Sequence, residues 1–200
     1  MPLSASIVEG NIIKTKVETS MFQEKLRELM EAKSYISIYH NRDDLSAFGF
    51  GVVVACNGEH VIFAAFSPCG ENDGLHLCEI DSICKIEYDD MYSNKMEKLI
   101  NYNGAKHENY HFRENLIEEF LRYAKENNFI AGIEICDSDE FDALGLVDSL
   151  SDEGCKILLI NQYGNENGYA EIKYSDITQM NCNECEERYR RILHQMQKMA

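Results

Sequence analysis

The feature that most constrains this chain is a weak internal repeat with a period of 94 residues. A shift by that distance places Gly70 on Gly164 and Gly74 on Gly168 without a gap. Glycine is required where the backbone takes positive φ or approaches another segment closely, so matched glycines indicate one backbone shape used twice. The loops GENDG and GNENG, which these glycines frame, are therefore predicted to connect the same two strands in two copies of one unit.

Both copies show the same predicted order of elements, because helical spacing of apolar residues gives way to short β-branched and aromatic runs. In the first copy a capping box of Ser20 and Gln23 opens a helix, and a closing helix begins near Tyr92. The strands between them are predicted at 35–40, 48–56, 61–67, 75–80 and 82–88. The second copy has a helix at 112–125, strands near 129–135, 143–150, 155–161, 169–174 and 176–181, and a helix at 185–196.

A helix followed by five short strands in each copy resembles the small-barrel class of SH3-like and Sm-like domains. The resemblance implies a mainly β fold with flanking helices (α+β), made of two tandem copies of a helix plus a five-stranded barrel. The domain boundaries then follow: an N-terminal extension at 1–21, a first helix-plus-barrel repeat at 22–100, a linker at 101–111 and a second repeat at 112–200.

The resemblance does not extend to RNA binding. Sm-like proteins use an aspartate and an asparagine near the turn between the second and third strands to hold an RNA base. The corresponding turns here read CNGEH (56–60) and LSDEG (150–154), which do not reproduce that pattern.

Charge and hydropathy exclude several classes of function. A 200-residue chain with 44% hydrophobic residues can bury a core, and a formal net charge of -16 repels nucleic-acid backbones and anionic lipid surfaces. The compact basic group Arg188, Arg190 and Arg191 has acidic neighbours at helical spacing, which predicts a solvated, locally paired helix face. No run approaches the roughly 18 apolar residues that span a bilayer, and the N-terminus lacks a signal pattern, so we expect a cytoplasmic protein without a membrane segment.

The eight cysteines raise the question of thiol chemistry. Most lie in or beside apolar strand-like runs, which predicts buried, reduced thiols: Cys56, Cys78, Cys84, Cys136 and Cys155. Cys182 and Cys185 form a C-x-x-C motif, CNEC, whose sulfurs can pack at a helix entrance, act as a redox pair or bind zinc. A zinc site would need two more ligands, and the H-x3-H pair of His107 and His111 could supply them.

Acidic loops follow the first predicted strand of each copy. They contain Asp43 and Asp44 in the first copy and Asp137, Asp139, Glu140 and Asp142 in the second. Their oxygens could attract a hard cation, but the spacing does not match an EF-hand, and solvated loops are the favoured interpretation.

Signatures of catalysis are absent from the sequence: there is no nucleophile elbow, P-loop or complete dinucleotide motif. The favoured hypothesis is therefore a non-catalytic interaction protein without a cofactor, whose barrels present a groove or a sheet edge to a protein or peptide partner. Homo-oligomerisation is a further option, since sheet edges call for a cover. The alternative is a zinc-binding or thiol-based enzyme or sensor centred on CNEC.

Overall fold

The computed structural model describes residues 21–40, 42, 45–106, 110–138 and 140–199, which form two halves with the same order of elements. The first half contains α1 (Met21–Ala32), β1 (Tyr35–Tyr39), β2 (Gly49–Cys56), β3 (His60–Phe66), β4 (Asn72–Glu79), a 3-10 turn (Ile80–Ser82), β5 (Lys85–Tyr88) and α2 (Met91–Asn103). The second half contains α3 (Leu116–Glu126), β6 (Ile130–Ile135), β7 (Ala143–Leu150), β8 (Gly154–Ile160), β9 (Glu166–Lys173), a 3-10 turn (Tyr174–Asp176), β10 (Ile177–Cys182) and α4 (Cys185–Met199).

The ten strands of the described residues belong to one antiparallel sheet in the order β5-β1-β2-β3-β4-β10-β6-β7-β8-β9. Each half contributes five neighbouring strands in the order fifth, first, second, third, fourth. The halves meet where β4 pairs with β10, the fifth strand of the second half. A mainly β fold with flanking helices is thus confirmed, whereas one shared sheet does not confirm two separate barrels.

The repeat itself recurs in the hydrogen-bonded ladders, with one correction to its alignment. The pairing of the second with the third strand shifts after Val53 in the first half and after Val147, 94 residues later, in the second. The first helix of each half is closed by a backbone amide that follows it, which is the amide of Ser34 in the first half and that of Phe129 in the second. These two residues are 95 positions apart. The prediction of a gapless repeat is therefore wrong by one residue, in the loop after the first strand. A loop absorbs such a change, whereas a strand would turn all later side chains to its other face.

Several predicted boundaries move for local reasons. β4 starts at Asn72, so Gly74 lies within a strand, at φ 78°, and not in a loop. α3 starts at Leu116 and not at 112, because the Asn115 side chain accepts the Glu118 amide and caps the helix. α2 continues to Asn103, inside the predicted linker. The predicted cap at Ser20 lies outside the described residues.

The largest core cluster joins the two halves. Leu75 and Leu77 of β4 pack in the same cluster as Phe120 of α3 and Met180 of β10, and all four side chains are buried. α3 contacts β3 and β4 as well as the strands of its own half. Since buried apolar surface crosses the junction, the two halves stabilise each other.

The helices flank the sheet: α1 contacts β2, α2 contacts β1, and α4 contacts β6. Within the described part of the chain, no helix combines the length and apolar character needed to cross a membrane.

Candidate functional site

The two cysteines of the CNEC motif lie in opposite environments. Cys182 ends β10 and is completely buried, whereas Cys185 begins α4 and is exposed. Asn183 turns the chain between them with φ 61°. Burial, and then the negative charge of Glu187, raise the pKa of the Cys182 thiol, so this thiol stays protonated at neutral pH.

In the described part of the chain, no other predicted zinc ligand lies beside Cys182 and Cys185. His111 is exposed in the segment before α3, and His107 lies outside the described residues. Across the part of the chain that the structure describes, no group of three or more His, Cys, Asp and Glu side chains is arranged to hold a metal ion. Zinc binding by Cys182, Cys185, His107 and His111 stays a prediction, and metal analysis of protein purified without added metal tests it.

Cysteine accessibility leads to a direct prediction. We expect alkylating reagents to modify the three exposed thiols rapidly in the native protein: Cys69, Cys136 and Cys185. The three buried thiols should react only on unfolding: Cys78, Cys155 and Cys182. Burial raises the pKa of Cys78 to about 12 and that of Cys155 to about 11, which lowers the thiolate population further. Peptide mass spectrometry after timed labelling measures this order, and fast native labelling of Cys182 would contradict it.

Cys136 corrects one expectation. The sequence predicts it to be buried at the end of a strand, but it lies in the turn after β6 with φ 54° and is exposed. All eight cysteines are free thiols.

A polar cluster, here called the junction cluster, lies where the halves join and consists of His76, Asn181, Glu184 and Glu187. His76 of β4 contacts the Glu184 carboxylate through Nε2, so this contact crosses the junction. Asn181 Nδ2 donates to Glu184 Oε2 at 2.8 Å and lies 3.4 Å from Glu187 Oε1. The His76 ring is also fixed, because it stacks on Phe63 with ring centroids 4.9 Å apart.

The two carboxyl groups of the junction cluster respond differently to burial. Burial, and then the charge of Glu184, raise the pKa of Glu187 to about 7. Burial alone would also raise the pKa of Glu184, but the hydrogen bond and charge of His76 outweigh it and hold that pKa below its ordinary value. Glu187 is 3% exposed, and its Oε2 has no hydrogen-bond partner among the described residues. One carboxyl is therefore charged near neutral pH while the other is poised to take up a proton.

A second polar connection crosses the same junction. Asp73 of β4 accepts the backbone amide of Cys185 at 3.0 Å, and Arg188 Nη2 lies 3.4 Å from the same oxygen. A carboxylate at the start of α4 complements the partial positive charge of the helix N-terminus. Together with the junction cluster, this contact fixes α4 against β4.

The sequence did not reveal the junction cluster. Glu187 belongs to a charged run that was predicted to be a solvated helix face, and its burial overturns that prediction for this residue. The predicted local pairing is confirmed nearby, where Arg190 Nη2 contacts Glu186 Oε1 at 2.6 Å. The order of acidic and basic residues alone does not distinguish the inward face from the outward face of a highly charged helix.

An acidic cleft of about 600 Å³ lies beside the junction, between the loop after β1 and the loop after β6. Its acidic lining residues are Glu79, Asp81, Glu134, Asp137 and Glu140. Burial, and then the charges of Asp137 and Asp81, raise the pKa of Glu79. Asp43, Asp44 and Asp139 lie outside the described residues.

Asp142, the remaining acidic residue of the predicted cation loops, is committed to its own loop. Its Oδ2 accepts hydrogen bonds from the Ser138 hydroxyl at 2.7 Å and from the Ile135 amide at 2.9 Å. These hydrogen bonds hold the pKa of the Asp142 carboxyl below its ordinary value.

β5 and β9 form the two ends of the sheet, and β9 repeats a feature of β4. Gly74 of β4 and Gly168 of β9 have φ 78° and 82°. A Cβ on Gly74 would collide with the backbone where β10 ends, 2.8 Å from Asn183 and from Glu184. Within the described part of the chain nothing lies within 4 Å of a Cβ built on Gly168. β9 thus has the local geometry of β4 with its outer side open.

Comparison of this chain with protein-family models, with curated proteins and with solved structures finds no match. The function therefore has to be argued from the geometry of the chain itself.

Proposed function

We propose that this chain is a non-catalytic binding protein built from tandem small barrels, and that its β9 edge receives an extended segment of a peptide or protein partner. One observation carries the proposal. β4, the counterpart of β9, accepts β10 on its outer edge in antiparallel register, and β9 has the same turn, the same positive-φ glycine and an outer edge that no described strand pairs with.

The matched positions define where the partner strand would lie. β4 pairs with β10 from Leu75 to Cys78, and the equivalent residues of β9 run from Tyr169 to Ile172. β9 has eight residues and β5 has four, so β9 offers the longer ladder. Main-chain hydrogen bonds along such an edge supply affinity, and alternate side chains supply specificity.

The side chains of β9 suggest the chemistry of the partner. Tyr169 and Glu171 are exposed, and the ammonium of Lys156 lies 4.1 Å from the Tyr169 ring centroid. A chain with net charge -16 attracts basic segments and repels acidic ones. We therefore expect an extended segment that carries lysine or arginine beside Glu171.

Two further parts of the proposal rest on the fold and the cysteines. The strand order fifth, first, second, third, fourth in each half, with a shift after Val53 and after Val147, supports the assignment to small barrels, because bulges bend strands toward closure. Free thiols at all eight cysteines support a reducing compartment, so we assign the protein to the cytoplasm.

The proposal is tested with peptides selected from a phage-displayed random library on the wild-type protein. Bound peptides should slow hydrogen exchange of the β9 amides. Successive residues direct their amides to opposite edges of a strand. One of the two variants Ala170→Pro and Glu171→Pro therefore removes a hydrogen bond to β8. The second variant removes only an amide donor on the free edge of β9. The variant that keeps its stability within about 1 kcal/mol of wild type should bind at least ~10-fold more weakly.

The other proline variant serves as the control for stability, since it should unfold more easily through its lost bond to β8. Peptides that protect residues elsewhere would contradict the proposal, as would normal binding by the stable proline variant. A library that yields no binder counts against it as well.

A further inference from the structure

The last helix, α4, buries polar residues where its counterpart α2 buries small or apolar ones. The positions of α2 that face the sheet are occupied by small or apolar residues: Ser93, Met96 and Ile100. The same repeat positions in α4 carry Glu187, Arg190 and His194. The buried residues of α4 are Glu187 and His194, and the Arg190 side chain is 12% exposed.

Polar contacts hold this inner face of α4. Arg190 Nη1 donates to the Ile160 carbonyl at 3.1 Å, and His194 Nδ1 lies 2.9 Å from the Gly164 carbonyl oxygen. The helix is therefore fixed to the turn after β8 by hydrogen bonds and not by apolar packing. Apart from Leu193, which lies against Gly164, the apolar residues of α4 lie on the other side.

The outer face of α4 carries an exposed stripe, here called the α4 stripe, of Cys185, Tyr189, Ile192, Met196 and Met199. Tyr189 is 63% exposed, Met196 58% and Met199 80%. At the positions of Tyr189 and Ile192, α2 carries the exposed residues Lys95 and Lys98. These two central positions are thus polar on α2 and apolar on α4, whereas the positions of Cys185 and Met196 carry the exposed residues Met91 and Tyr102 on α2.

The spacing of the α4 stripe places its residues along one face of the helix and fits a helical partner. Its residues follow at intervals of four, three, four and three, which is the heptad pattern of a helix–helix seam. An exposed apolar stripe of this kind marks a protein interaction site.

We infer that the α4 stripe packs in antiparallel orientation against the α4 stripe of a second copy of this chain, and that the protein is a homodimer through this helix. A twofold dimer uses the same patch on both copies, and a single continuous stripe meets that requirement. This surface is distinct from the β9 edge, so the inference stands or falls independently of the proposed strand binding.

Charge favours a second copy in that orientation. α4 carries four basic and two acidic residues in a chain of net charge -16, so the acidic remainder of one copy attracts this basic helix of the other. Exposed Glu186 lies in its first turn and exposed Lys198 in its last turn. Antiparallel pairing brings Glu186 of one copy to the end that carries Lys198 of the other, and it also opposes the two helix dipoles.

The test converts the outer face of α4 to that of α2. We expect light scattering and sedimentation to show a dimer for the wild type, and Ile192→Lys, alone and with Tyr189→Lys, to raise the dimer dissociation constant at least ~10-fold. Both side chains are exposed, so the circular dichroism spectrum should stay unchanged. The control Asn101→Lys adds the same charge at an exposed position of α2 and should leave the dimer intact.

A wild type that remains monomeric over the accessible concentration range overturns the inference, as does a dimer that survives both lysine substitutions. Orientation is tested by oxidation of the wild-type dimer. Antiparallel helices of 15 residues separate the two Cys185 residues by about 20 Å, so no Cys185–Cys185 cross-link should form. Such a cross-link in the dimer would indicate parallel pairing and overturn the orientation.

Discussion

Alanine at Gly74 is expected to lower the free energy of unfolding by about 3 kcal/mol, whereas alanine at the matched Gly168 should cost about 1 kcal/mol. Both glycines have positive φ, so both substitutions carry the backbone penalty of a left-handed alanine. Only at Gly74 does the new Cβ also collide with the backbone of the second half, at Asn183 and Glu184. The difference between the two variants therefore measures packing at the junction of the halves.

Denaturant unfolding followed by circular dichroism gives both values. All variants have to be compared at one protein concentration, because a dimer is stabilised by mass action. Equal losses for Gly74→Ala and Gly168→Ala would contradict the close approach of β4 and β10. A larger loss for Gly168→Ala would indicate that β9 is also covered in solution.

Removing the charge at Glu187 is expected to change how stability depends on pH. Its pKa in the folded protein is about 7, above the ordinary 4.5, so the folded state binds this proton more tightly than the unfolded state does. The contribution of Glu187 to stability is complete below about pH 4.5 and is lost as the pH rises through 7, a change on the order of 3 kcal/mol. Glu187→Gln should remain neutral, so its advantage over wild type should grow from pH 5 to pH 8.

Unfolding free energies at several pH values between 5 and 8 measure this effect. The groups that set the pKa of Glu187 are Glu184, Glu186 and His76, and all of them remain in the variant. The difference between the two profiles therefore isolates Glu187. Glu186→Gln is the matched control, because its side chain is 72% exposed and its removal should change stability by less than about 1 kcal/mol at every pH. Parallel profiles for wild type and Glu187→Gln would contradict the buried, proton-binding carboxyl.

Much of the local structure was predictable from the sequence. The apolar run GVVVA (51–55) forms a strand because β-branched residues suit a pleated, largely buried surface. Gly70 and Gly164 take φ 79° and 81° in matching turns, as the repeat of glycines predicted. The one-residue change in the first loop escaped prediction, since loops impose no period that would reveal it.

The polar contacts at the junction were not predictable, and the reason is distance along the chain. His76 and Glu184 are more than 100 residues apart, and Asp73 and Cys185 are 112 apart. Neither pair belongs to a short motif, whereas the CNEC motif that does attract notice separates a buried from an exposed thiol. Asn181, Glu184 and Glu187 do lie close together in the sequence, but they match no known motif, and His76, which completes the junction cluster, lies more than 100 residues away.

By itself, the sequence determined that two similar β-rich units, each with amphipathic helices, follow one another in this chain. Period-two and period-3.6 patterns and the positions of glycine are local properties, and they decide local conformation wherever the segment lies. Only the tertiary structure decided that β4 pairs with β10, that Glu187 faces inward and that the apolar stripe of α4 faces outward. An open strand edge can accept any strand and a mixed helix face can turn either way, so these choices depend on which surfaces meet when the two halves pack.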